Sequence, residues 1–217
     1  MTAVIEKDTA TTSEAPAPVI VGLKRRTIDT VLVLAGVVAT IVLIVAGGLL
    51  LWGNSFAEDY VGDELSAQNI TFPPAESLIE EGRDDIAQFG GMQVTTGEHA
   101  EAYASFIGGH VANVADGLTY AELGGPQRAA QAAVNEAVAA GAPGEEIAAL
   151  QAEADTISGQ RDTIFKGEML RGTLLNAYAW SVMGSIAGIA AIAAFITAVA
   201  MFGLTVAGVI HLKKTPA

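Results

Sequence analysis

The chain has no cysteine, few aromatic residues, and fewer than half as many basic as acidic side chains. The missing cysteines exclude disulfides, thiolate-held zinc, iron–sulfur clusters and a thiol nucleophile. With 11 basic against 24 acidic residues, the net charge of −13 leaves no broad basic surface for nucleic acid or anionic lipid. Also absent are a phosphate-binding loop, a dinucleotide fingerprint, a nucleophile elbow, a zincin helix and an Asp-x-Asp-x-Asp-Gly calcium loop. No catalytic residue, metal site or cofactor is therefore expected, and nucleic acid is not an expected partner.

What is present is apolar length. Half of the residues are hydrophobic (51%) although only 6% are aromatic, so Ala, Val, Ile and Leu carry the count. No charge occurs over 30–54, and 31–52 is almost wholly aliphatic and closes on Trp52. Such a run matches a hydrocarbon core of about 30 Å at ~1.5 Å per residue, with Trp52 at an interface. It is too long for the apolar part of a signal peptide, and about 30 mostly polar residues precede it. A second charge-free stretch covers 172–212. Helical throughout, it would measure on the order of 60 Å, twice what one crossing needs. A hairpin would use that length, but no Pro, Asn-Gly or charge marks a turn. The favoured reading is one span from about Ser185 to Ile210, entered through an interfacial approach with Asn176, Tyr178 and Trp180.

Positive residues orient the spans. Lys24, Arg25 and Arg26 precede the first, and Lys213 and Lys214 follow the second, so both termini are expected in the cytoplasm of a multi-pass plasma-membrane protein. The intervening 53–171 carries −15 and the termini +2. The expected order is a disordered cytoplasmic tail (1–27), transmembrane helix one (28–53), an acidic extracytoplasmic domain (54–178), transmembrane helix two with its approach (179–212) and a cytoplasmic tail (213–217). The fold class is an all-α membrane protein, two transmembrane helices flanking a small extracytoplasmic helical bundle.

Within the outer domain the first span continues outward past Phe56, Tyr60 and Leu65 until Ile70-Thr71-Phe72-Pro73-Pro74 stops it. A helix is expected over 75–88, ended by Gly90-Gly91, and another from Thr96 to Asp116-Gly117 with His99, Tyr103, Phe106, His110 and Val114 spaced by three and four. Thr119-Tyr120-Ala121-Glu122 has the capping-box pattern and reads as a helix start. Pro126 suits the first turn of an Ala-rich helix that ends at Gly141-Ala142-Pro143-Gly144. Beyond it Ile147, Leu150, Ala154, Ile157 and Ile164 form a narrow seam that Arg161 interrupts. No segment alternates like a strand. Ala-rich faces contribute little buried area apiece, so the bundle should be modestly stable and helped by association.

Residues that invite chemistry read as structural. His99 and His110 lie three helical turns apart, about 16 Å, too far to share a metal whose ligands sit ~2 Å away. The acidic groups Glu58-Asp59 with Asp63-Glu64, Glu80-Glu81 with Asp84-Asp85, and Glu145-Glu146 read as solvated helix faces. Asn69-Ile70-Thr71 is formally a glycosylation sequon. Neither span has an ionisable residue at its centre, which removes the usual marker of ion or proton transport. The candidate interface is a strip of small residues, Gly184-x-x-x-Gly188 with Ala187, Ala190, Ala191, Ala193 and Ala194, matched on the first span by Gly36, Thr40 and Gly48. It suits packing of the two spans on each other or on a foreign helix.

Three segments, Leu65-Ser66-Ala67-Gln68-Asn69-Ile70-Thr71, Gly117-Leu118-Thr119-Tyr120-Ala121-Glu122-Leu123 and Leu170-Arg171-Gly172-Thr173-Leu174-Leu175, give the chain from Ile28 onward a form that resembles a family of two-span actinobacterial membrane proteins of unassigned function. The stretch 127–153 departs from that pattern. Family members are sometimes named aromatic ring-opening dioxygenases, but such iron enzymes need a His and carboxylate ligand set, which His99 and His110 do not supply. The expected function is that of a non-enzymatic accessory or scaffold subunit of an envelope or respiratory membrane assembly, in contact with the lipid bilayer and with other membrane subunits or copies of itself. The alternative is an extracytoplasmic sensor or ligand-binding module acting through a separate cytoplasmic partner.

Overall fold

The computed structural model describes residues 25–214. The tail expected over 1–27 lies outside them apart from Arg25, Arg26 and Thr27, which are helical, as do the last three residues of the tail expected over 213–217. Five α-helices follow in order: α1 Arg25–Ala67, α2 Ala75–Glu80, α3 Gly97–Ala112, α4 Gly124–Ala140 and α5 Gly144–Lys214. No strand forms among the described residues. α1 and α5 are long and apolar enough to cross a membrane. The charge-free stretch 172–212 is helical without a break, so α5 makes no hairpin.

Local chemistry sets each boundary. α1 stops ahead of the two prolines, where Asn69 turns left-handed at φ 52° and the amides of Gln68 and Asn69 donate to Leu65 and Ser66. The helix expected over 75–88 is corrected to six residues. Gly82, at φ 73°, donates to Ile79 while Arg83 donates to Leu78, the Schellman pattern that satisfies the last carbonyls and ends a helix. A 3-10 turn, Ala87–Phe89, replaces the missing turns. Gly90 then passes so close to Ala75 that a Cβ there would lie 2.5 Å from its backbone nitrogen. The chain returns beside itself: Phe72 donates to Met92, Val94 to Ile70 and Gly91 to Pro73 at 2.8–3.0 Å, around an isolated bridge between Thr71 and Gln93.

α3 starts where expected, its Thr96 hydroxyl accepting from the His99 amide. The capping box also forms: Glu122 accepts from the Thr119 amide at 2.8 Å and Thr119 accepts from the Glu122 amide at 3.3 Å. It caps a turn, however, and α4 itself begins at Gly124. Left-handed Gly141 ends α4, and Glu145 and Glu146 open α5 at the end of a helix that favours acids.

Contacts divide the chain into two units, one of the described residues up to Ile41 with those from Ala198 on, the other Val42–Thr197. In the first, Gly36 faces Thr205 and Gly208 faces Val33. In the second, Phe72, Leu78, Ile86, Val94 and Phe106 form the main core with Val61 and Leu65 of α1 and Leu174 of α5. Here α3 runs antiparallel to α5 at intimate range, with Gly97 against Ser181, Gly108 against Arg171 and Gly167 against Val111. A smaller cluster joins Ala115, Leu123 and Ile164 to Ile157. Arg161 does not break this seam. Its guanidinium lies over the Tyr120 ring and donates to the Tyr120 carbonyl and to Gln127, tying the capping-box turn and α4 to α5.

Candidate functional site

Among the residues of α1 that are not exposed, Val33, Gly36, Thr40, Leu43, Gly47, Leu50, Asn54, Ala57 and Val61 form one continuous series, with Ala39, Ala46 and Gly53 flanking it and Leu65 buried beyond its end. Alternate steps of three and four give a 3.5-residue period, the signature of a helix presenting one narrow seam to another helix. In the second unit this seam meets α5 through Gly47 against Phe195, Ala57 against Gly184, and Asn54 against both Gly184 and Gly188. Gly184 and Gly188 thus face α1 of the same chain. Gly36 opposes Thr205 in the first unit. Gly48 lies off this seam: no atom of the chain comes within 4 Å of where its Cβ would be, and Gly47 meets α5 instead. Stepping by four from Thr40 reaches Gly48 but walks round the helix by about 40° at each step, whereas alternating three and four does not.

The polar centre of this contact is Asn54. Its carboxamide nitrogen donates to the Gly184 carbonyl at 3.0 Å and to Glu58 at 2.9 Å, while the group lies against Gly188. Without side chains, Gly184 and Gly188 leave room for the amide, and the bond fixes the register of α1 on α5. Sequence reading treats Asn54 as no more than the end of an apolar run; its signal is a lone amide at a heptad position.

Farther along the same two helices a groove of about 410 Å³ opens between α1 and α5. Leu65, Ile70, Leu174 and Ala177 line its apolar wall, with Tyr60, Glu64 and Trp180 also on its lining. The segments 65–71 and 170–175 meet here. Tyr60 is the last of an exposed aromatic ladder, stacked on Phe56 with centroids 6.0 Å apart, as Phe56 is on Trp52 at 5.7 Å.

The histidines are placed separately. His99 accepts from the Thr95 amide at 3.3 Å and sets its ring edge-on to Phe72 and Phe89, a core-margin role. His110 approaches Glu81 at 3.3 Å and packs on Phe106. No group of three or more His, Asp or Glu is arranged for a metal among the described residues. Of the acids, Asp85 is held below the usual carboxylate range by its hydrogen bond with Arg83, and Glu122 by the Thr119 amide and hydroxyl. Both are exposed, and both bonds organise turns.

No protein-family model, curated protein or solved structure matches the chain.

Proposed function

We propose that the chain is an integral membrane protein with two spans, its termini cytoplasmic and 54–178 extracytoplasmic, serving as a non-enzymatic accessory or scaffold subunit of an envelope or respiratory membrane assembly. The observation that carries this reading is the outward face of α1 and α5. Leu49 is 65% exposed and Val199 73%, and Leu32, Ile189, Phe202 and Leu204 are similarly bare. Apolar surface costs about 25 cal/mol per Å² in water, so these faces call for lipid or apolar partner helices. In lipid, moreover, a helix satisfies its backbone internally and associates through small residues, the arrangement seen at Gly36, Gly47, Gly184 and Gly188. Kinship with the two-span actinobacterial family belongs to the same proposal and rests on the three segments quoted above.

Because the glycine strip is taken up by α1, partner contact falls to other surfaces: the lipid-facing sides, and the exposed apolar residues Leu118, Val138 and Met169. A photo-crosslinking residue replacing Val138, activated in intact membranes, should give a discrete adduct larger than the 22.2 kDa chain. A chain that remains monomeric there, and on native electrophoresis from mild detergent, would contradict the scaffold reading.

The groove beside Tyr60 and Trp180 favours the second reading, a ligand-binding module. Its volume falls within the range of small-molecule sites, about 300–1,000 Å³.

A further inference from the structure

We propose that the groove between α1 and α5 binds an amphipathic organic cation, an alkylated ammonium group carried on a short hydrocarbon chain. This deepens the ligand-binding reading and rests on it. The wall formed by Leu65, Leu174 and Ala177 offers hydrocarbon contact, which a fully hydrated inorganic ion does not use. Tyr60, 50% exposed, and Trp180, 42% exposed, line the same space, and the negative face of an aromatic ring attracts a weakly hydrated ammonium group. Glu64 adds the one charge on the lining, and no Lys, Arg or His is among the lining residues described. Arg171, adjacent in sequence to the lining Leu170, is engaged elsewhere: it lies along Gly108 of α3 and approaches Glu168 at 3.4 Å. The surrounding sequence from 53 to 171 carries −15, so the field around the groove favours cations and repels anions. One carboxylate cannot supply the six to eight oxygens that calcium takes, which separates this site from a metal site. The combination of aromatic rings, one carboxylate and an aliphatic wall matches a ligand with a diffuse positive head and an apolar tail.

The chain reports on this site directly. It has two tryptophans, so Trp52→Phe leaves Trp180 as the sole indole. The full chain with that change, in maltoside micelles, is titrated with hexyltrimethylammonium, hexanol and hexanoate while Trp180 emission is followed. Expected is saturable binding of the ammonium at least about tenfold tighter than of hexanol, with no saturable response to hexanoate. Glu64→Gln, at an exposed position, and Tyr60→Leu should each weaken the ammonium about fivefold or more, with the helical circular dichroism melt unchanged; Tyr60→Phe keeps the ring and should bind like the parent. If Tyr60→Leu lowers the melt, Glu64→Gln and Tyr60→Phe still decide the matter. Repeating the titration in nanodiscs separates two sources of the same chemistry. Weaker binding in phosphatidylcholine than in an uncharged glycolipid, which does not concentrate the cation at its surface, would identify a choline headgroup as the natural occupant, and equal binding a free cation. Equal affinity for hexanol and the ammonium would overturn the cation assignment while leaving a ligand-binding groove. No saturable response to any of the three would overturn the groove as a site and the ligand-binding reading with it.

Discussion

In the apolar lengths of α1 and α5 the buried residues are small, Thr40, Gly47, Ala191, Ala198 and Thr205, while most of the large side chains, Leu32, Leu49, Ile189, Val199 and Phe202 among them, are exposed. Between those lengths the order reverses. Phe72, Leu78, Ile86, Val94 and Ile164 are buried, and carboxylates cover the outside. One chain thus packs by two rules. Where large side chains gain by leaving water, they form the core; in the membrane setting proposed for the apolar lengths that gain vanishes, and close backbone approach at small residues takes its place. Glycine serves both regions, but with different partners: Phe195 and Asn54 at the α1–α5 seam, Ser181, Arg171 and Val111 between α3 and α5.

Substitutions that exchange the two rules should separate the regions. The largest effect is expected from Phe72→Ala, which empties a site 2% exposed and ringed by Phe89 and Tyr103 at 5.5 and 5.2 Å. A loss of about 3–5 kcal/mol should appear in chemical denaturation of the detergent-solubilised chain. Next come Gly184→Leu and Gly188→Leu, each forcing a side chain into Asn54 or Ala57 and destabilising by about 1–3 kcal/mol. Gly48→Leu, facing open space, should stay within ~0.5 kcal/mol in the same assay. Equal effects at Gly48 and Gly188 would erase the distinction between seam and outer face. Asn54→Leu loses the bond to the Gly184 carbonyl, and a drop of about 1 kcal/mol is expected.

The smallest effect concerns pH. Glu122 has its pKa lowered in the folded chain, so its contribution is present above the ordinary carboxylate value and is lost as pH falls through the depressed one. The Thr119 amide resonance should therefore move in that acid window and stay still above it. Glu122→Gln, which keeps a carbonyl acceptor, should abolish the movement.

Most of the helices were legible because their signals are local: charge-free runs for the apolar lengths of α1 and α5, Thr96 for the start of α3, Gly141 for the end of α4. The shortening of α2 was less so, since Gly82 reads as an ordinary glycine until its left-handed turn is seen. The return of 91–94 beside 70–73 pairs too few residues to leave an alternating pattern. For the small-residue strip, composition points to Gly36, Gly184 and Gly188, but choosing Gly47 over Gly48 requires the 3.5-residue period that only packing against a second helix imposes. The groove has no sequence signature at all, because Tyr60, Glu64, Leu174 and Trp180 come together only through the pairing of helices more than a hundred residues apart.

The central claim, that the outward apolar faces meet lipid while the acidic region between them lies outside the cell, is open to a direct measurement because the chain has no native cysteine. Single variants Thr119→Cys and Ile189→Cys are treated in intact cells with a membrane-impermeant maleimide, and again after detergent. Both positions are exposed in the isolated chain, and a thiol in hydrocarbon does not ionise to the reactive thiolate. The account predicts that Thr119→Cys labels in intact cells and Ile189→Cys only after the membrane is dissolved. Labelling of Ile189→Cys in intact cells as fast as Thr119→Cys, or of Thr119→Cys only after lysis, would contradict it.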